Sequence, residues 1–129
     1  MMNNWINAVN WPKGGLVPVV TQDYSSNAIL MVAWMNRKAL IATVTSGEAV
    51  YWSRSRKRLW RKGEESGHIQ KIKSIHLDCD EDCLLLTVEQ IGGVACHTGR
   101  QSCFFNKLEN DRWLVIAPVI KDLTEIYKK

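Results

Sequence analysis

The chain has no run of eighteen or more apolar residues, and its opening segment, residues 1–11, has neither a basic start nor a long apolar stretch. Neither a membrane span nor an export signal is therefore expected, and a cytoplasmic location is. Internal repeats, low-complexity tracts and linkers are also missing, which points to one domain over residues 1–129, a length that buries one core but not two. An apolar fraction of 46% with 23% charged residues excludes the disordered and fibrous classes. Basic residues exceed acidic ones by only 17 to 13, a net +4 that draws phosphates without naming the molecule that carries them.

What is present includes four cysteines, Cys79, Cys83, Cys96 and Cys103. Without an export signal, two disulfides are a poor reading, and in a reducing compartment such clusters bind metal or react.

Residues 16–22 are β-rich after Gly14-Gly15, and residues 28–35 form a nearly continuous apolar run after a Ser25-Ser26-Asn27 turn, which predicts two paired strands. Asn36 is placed to cap a helix over residues 37–45, with Leu40, Ile41 and Val44 on one face and Gly47 ending it. Residues 49–53 read as a strand, residues 54–63 as a loop without period, and residues 72–79 and 84–91 as a hairpin joined by Asp80-Glu81-Asp82. Gly92-Gly93 then opens a loop, followed by short strands at 104–108 and 113–119 about an Asn110-Asp111 turn, with a helical end to the chain. The fold class expected is α+β, a β-rich single domain with few helices.

In Asp78-Cys79-Asp80-Glu81-Asp82, strand alternation turns the three aspartates one way and Cys79 the other. Carboxylates suit magnesium or calcium and a thiolate suits zinc, so two metals are within reach of one strand end. A solvated acidic turn is the plainer alternative. An EF-hand loop is rejected, because Cys83 stands where its glycine is required and residues 84–88 continue as a strand.

Cys96-His97-Thr98-Gly99-Arg100-Gln101-Ser102-Cys103 sets two thiols in a glycine-broken loop able to curl around a metal. With Cys79 they make three ligands, and three protein ligands plus a water is the pattern of a catalytic zinc. Cys83 would complete a closed structural site, but four residues of straight strand separate it from Cys79 by about 13 Å, too far to share one ion. It reads as a structural thiol. His97 is placed either to move protons at the metal or to ligate it. For His68 and His76 an ordinary exposed or hydrogen-bonded role is expected.

Residues 53–62 carry six basic side chains and no acidic one, with Ser53, Ser55 and Trp60 interleaved. Arginines and hydroxyls of this kind grip phosphate, and the following Gly63-Glu64-Glu65-Ser66-Gly67 lets backbone amides approach a ligand. A solvated surface loop and a single-stranded RNA site stacked on Trp60 are the alternatives.

Together these segments resemble the phosphoribosyl-AMP cyclohydrolases, histidine-biosynthesis enzymes that open the adenine ring of their substrate. Gly15-Leu16-Val17-Pro18-Val19-Val20 with Gln22-Asp23, and Met31-Val32-Ala33-Trp34-Met35-Asn36, are similar to that family's opening strands. Tyr51-Trp52-Ser53-Arg54-Ser55-Arg56 and Leu59-Trp60-Arg61-Lys62-Gly63-Glu64 resemble its substrate loop, and the aspartate and cysteine motifs its metal signature. The resemblance implies zinc on Cys79, Cys96 and Cys103 and magnesium on Asp78, Asp80 and Asp82. It implies an intertwined homodimer whose zinc site takes Cys79 from one subunit and the other thiols from its partner. Substrate would lie against Ser53, Arg54, Ser55, Arg56, Trp60, Lys62 and Arg100, with no nucleic-acid or membrane partner.

The chemistry implied is hydrolysis at C6 of an N1-alkylated, positively charged adenine, with opening of the N1–C6 bond and His97 assisting proton transfer. Its product is phosphoribosylformimino-AICAR-phosphate. Magnesium and the basic segment would hold the two phosphoribosyl groups. Family members are often fused to a phosphoribosyl-ATP pyrophosphohydrolase, and the short tail after residue 119 predicts the cyclohydrolase step alone. The His-x-Glu and Pro-Cys-x-x-Cys signatures of a base deaminase are absent.

Overall fold

In the computed structural model, which describes residues 4–122, a short helix α1 (Asn4–Asn7) leads into strands β1 (Val17–Asp23) and β2 (Ile29–Met35) and helix α2 (Arg37–Ser46). Strands β3 (Val50–Ser53), β4 (Arg58–Arg61), β5 (Gln70–Leu77) and β6 (Leu84–Gln90) follow, then a 3-10 turn (Ile91–Gly93), β7 (Asn106–Glu109) and β8 (Arg112–Val115). Four strands form one sheet in the order β2-β1-β6-β5, in which only the β1–β6 pair is parallel. β3–β4 and β7–β8 are separate antiparallel hairpins. The result is a β-rich α+β domain. Among the described residues no helix is long and apolar enough to cross a membrane. The helix expected at the very end of the chain lies outside the described residues.

Alternation builds the core. In β1 Val17, Val19 and Thr21 are buried, and in β6 Leu84, Leu86 and Val88 are, because successive side chains leave a strand on opposite faces. Leu30, Met31 and Met35 of β2, Ala39 and Leu40 of α2, and Ala49 and Tyr51 close over them. β2 breaks its alternation at a bulge: Thr21 pairs with Met31 and Gln22 with Ile29, leaving Leu30 as the extra residue, so Leu30 and Met31 are both buried. That irregularity later anchors the cysteine loop.

Helix α2 starts and stops where its capping residues place it. The Asn36 side chain accepts from the Ala39 amide at 2.8 Å, and Gly47, left-handed at φ 76°, donates its amide to the Thr43 carbonyl. Its buried face differs from expectation. Ala39, Leu40 and Thr43 face the core, while Ile41 and Val44 are 38% and 47% exposed. The cause is tertiary: the Thr43 hydroxyl donates to Ala39 or Val50 carbonyls and accepts the Val50 amide at 3.0 Å, pinning that face against β3. Asn36→Ala should lower stability by about 1 kcal/mol, read from chemical denaturation with an unchanged denaturant slope.

The basic segment is less of a loop than its composition predicts. β4 pairs residue by residue with β3, from Val50 opposite Arg61 to Ser53 opposite Arg58, leaving only residues 54–57 as the turn. Leu59 and Trp60 pack against the core, and Trp60 lies 5.7 Å from the Tyr51 ring. Both later hairpins form as expected, and Asn110 and Asp111 supply the two positive φ values, 49° and 63°, that the tight turn of β7–β8 requires.

Candidate active site

The cysteine loop is tied to the β2 bulge. The Cys103 amide donates to the Leu30 carbonyl at 2.7 Å, and the Ser102 hydroxyl donates to the Ile29 carbonyl at 2.7 Å. Upstream, the Ala95 amide reaches the Gln101 carbonyl and the Cys96 amide the Arg100 carbonyl, both at 3.1 Å, so residues 95–101 fold back on themselves. Cys96 is buried, and the Thr98 hydroxyl donates to its Sγ at 3.1 Å. Cys103 is exposed as a residue, yet desolvation of its thiol end, with Cys96 alongside, pushes the thiol up to about 11.

Lys62 faces this thiol pair. Its Nζ donates to the Ala95 carbonyl at 2.6 Å and sits 5.3 Å from the centre of the Trp60 ring. Burial holds the ammonium below its ordinary value, and Cys103 and Cys96 act in the opposite direction.

A cavity of about 200 Å³ lies here, walled by Met31, Trp60, Lys62, residues 63–66, Ala95, His97 and Cys103. A second, of about 550 Å³, is lined by Ser53, Ser55, Arg56, Trp60, Glu65 and His97. Three side chains, Trp60, Glu65 and His97, wall both. The structure thus brings Ser53, Ser55, Arg56, Trp60, Lys62, His97 and Cys103 to one cleft. Arg54 lies instead over the Trp34 ring at 4.6 Å. Arg100 donates through Nε to the Ala117 carbonyl at 2.9 Å and covers the Phe105 ring at 4.1 Å. Neither arginine lines these cavities.

Beneath the cleft is a buried polar chain. Tyr51 hydroxyl bonds Thr21 at 2.7 Å and Gln70 at 2.6 Å, and the Gln70 amide donates to Gln90 at 2.8 Å. Burial raises the Tyr51 phenol far above its ordinary range, so it stays neutral. The 62–67 segment is set by Glu64, whose carboxylate accepts Arg58 at 2.8 Å and the Arg61 amide at 3.0 Å, and these partners hold it below the usual carboxylate range. Met31, Glu65 and Ser66 were not legible as lining residues. Met31 is buried by the bulge, and the other two had only their place in a glycine-bounded stretch to mark them.

Asp78, Asp80 and Asp82 do converge, with carboxylate oxygens within 4.8 Å of one another. The geometry differs from the strand alternation expected, because β5 ends at Leu77 and residues 78–83 form a turn. Asp78 Oδ1 accepts the amides of Asp82 and Cys83 at 3.0 and 3.1 Å, and Glu81 takes a φ of 63°. Desolvation and the Asp78 and Asp80 charges push the Asp82 carboxyl up. Cys79 is exposed on this turn. Among the described residues only the aspartates form a group of three metal-type donors within that distance, so Cys79 does not meet Cys96 and Cys103 within one chain. Cys83 is half-buried and bonds the Leu84 carbonyl. His76 bonds Ser74 at 2.9 Å, an ordinary surface role, and His68 is half-buried.

Thiols, an ammonium and an imidazole at one end of a cleft whose other end carries hydroxyls and a guanidinium form the equipment of an enzyme acting on a small molecule. A family model described as phosphoribosyl-AMP cyclohydrolase matches residues 31–105. Proteins of that name from Nitrosomonas europaea and Nitrosospira multiformis are 66% and 69% identical to this chain. The first aligns over 100% of both sequences and the second over 98% of both. A third, from Herminiimonas arsenicoxydans, is 59% identical over 96% of both. The chain belongs to the phosphoribosyl-AMP cyclohydrolase family, and it is a hydrolytic enzyme.

Proposed function

We propose that this enzyme opens the adenine ring of phosphoribosyl-AMP by hydrolysis at the N1–C6 bond, giving phosphoribosylformimino-AICAR-phosphate in cytoplasmic histidine biosynthesis. The observation that carries the reading is the shared wall of the two cavities, where His97 and Trp60 join the thiol end to the Ser53, Ser55 and Arg56 end. Arg56 and the serine hydroxyls would grip a phosphate. The Trp60 ring would offer the adenine a stacking face, and His97 would take the proton from the attacking water. Holding the phosphoribosyl groups remote from the ring converts binding into alignment at C6.

The donor sets fit two metals. Cys96 and Cys103 present soft sulfur donors that would bind zinc as thiolates once the metal displaces their protons, and Asp78, Asp80 and Asp82 present hard oxygens suited to magnesium. Zinc, when bound, supplies a Lewis acid that makes water a nucleophile near neutral pH. Cys79 would complete its ligands from a second copy of the chain. A homodimer is supported by the β7–β8 hairpin, all of whose residues are exposed, Trp113 by 68%. Leu108, Leu114, Val115 and Ile116 are exposed with it, and so many large apolar side chains exposed in one short segment are unusual on a free monomer.

The small-molecule reading is supported over an RNA-binding one by the engagement of four of the six cations of the basic segment within the chain. Arg58 and Arg61 are paired with Glu64 and Glu48, Arg54 lies on Trp34 and Lys62 points inward.

Purified protein incubated with phosphoribosyl-AMP should give the ultraviolet change of ring opening, lose it on zinc chelation and regain it with added zinc. Ring opening unaffected by chelation, or none at all, overturns the proposal.

A further inference from the structure

Lys62 is expected from its motif to bind substrate phosphate with the rest of the basic segment, but its position is different. It lines the smaller cavity with His97 and Cys103 and is absent from the larger one that Ser53, Ser55 and Arg56 line. Its main chain is fixed first: the Lys62 amide donates to the Ala49 carbonyl at 3.0 Å, just past the end of β4. From there the side chain runs inward to the Ala95 carbonyl at 2.6 Å, a contact across 33 residues of sequence. Ala95 directly precedes Cys96 and His97. One hydrogen bond from an ion therefore ties the β3–β4 hairpin to the loop that carries a thiol and an imidazole of the site.

Charge leads to the same residue. Lys62 and Cys103 wall the same cavity, and the carbonyl that the Lys62 ammonium reaches belongs to the residue directly before Cys96. Three thiolates around a divalent ion leave one net negative charge in a partly desolvated corner, and a single ammonium cancels it. A lysine suits this better than an arginine, being a compact point charge rather than a planar fork.

We infer that Lys62 is a positioning residue of the metal site: it fixes the Cys96-His97 loop through the Ala95 carbonyl and supplies the charge that offsets the thiolates, instead of binding substrate phosphate. The inference rests on the zinc reading of Cys96 and Cys103 given above.

Full-length protein and its Lys62→Met and Lys62→Gln variants, stripped of metal and titrated with zinc against a chromophoric chelator, would test it. Lys62→Met should weaken zinc binding by about tenfold to a hundredfold, the usual effect of losing a partner that supports a ligand loop. Lys62→Gln, which keeps a donor for Ala95 without the charge, should fall between it and the wild type and carries the test if the methionine variant does not fold. Loaded with cobalt, both variants should show an altered thiolate-to-metal charge-transfer band. With saturating zinc, kcat should fall while KM moves less than about threefold, since uniform substrate binding is untouched. Unchanged zinc affinity and cobalt spectrum together with a raised KM would make Lys62 a phosphate ligand and overturn the inference alone. Zinc bound by none of the three proteins would remove the zinc reading, and this inference with it.

Discussion

Cys79→Ser and Cys103→Ser should each lower turnover by about a thousandfold or more, the scale of losing the nucleophile a metal supplies. Equal mixtures of the two variants, allowed to exchange subunits, should regain about a quarter of wild-type activity under random two-fold pairing. The expectation follows from where the thiols are. Cys96 and Cys103 lie together beside Lys62, whereas Cys79 is exposed on the 78–83 turn and does not join them within one chain. In a proposed dimer with shared sites, a mixed pair has one site carrying both substitutions and one carrying neither. Half of randomly formed pairs are mixed, and half of their sites are intact. Stability should change little for Cys79, an exposed side chain. Subunit exchange proven by mass spectrometry without any return of activity would show that each chain builds its site alone, or that Cys79 has another role.

Local chemistry made much of the fold legible in advance. Asn36 and Gly47 bound α2 because their side-chain acceptor and left-handed backbone act within four residues. Asn110-Asp111 makes its turn for a similarly local reason. What stayed hidden depends on partners distant in sequence. Ile41 and Val44 follow Leu40 at helical spacing, yet the Thr43 hydroxyl's bonds to Val50 decide which face is buried. β4 has no period of its own and exists because β3 offers it a ladder.

The site divides the same way. Cys96 and Cys103 were readable as a pair because their loop is short, and the aspartates because they are nearly consecutive, although a turn and not strand alternation brings them together. The bulge at Leu30, whose carbonyl holds the Cys103 amide, has no sequence signature. Lys62 reads as a phosphate ligand from its basic neighbours, and its hydrogen bond to the Ala95 main-chain carbonyl is one that no side-chain pattern announces.

His97→Ala should reduce kcat by about two to four orders of magnitude, the range for a positioned general acid or base, while zinc content stays at the wild-type level. His97 is exposed, walls both cavities and follows a buried cysteine on a turn held by main-chain bonds from Cys96 to Arg100 and from Gly99 to Cys96. Its imidazole is therefore presented to the cleft by backbone that the substitution leaves intact. Because the side chain is exposed, stability should shift by no more than about 0.5 kcal/mol, so lost turnover cannot be blamed on unfolding. Zinc analysis, thermal unfolding and single-turnover rates on the same preparation separate the outcomes. Retained turnover would remove His97 from proton transfer. Turnover and zinc lost together would instead make it a ligand, and would return the fourth metal position, left to water in the proposed site, to the protein.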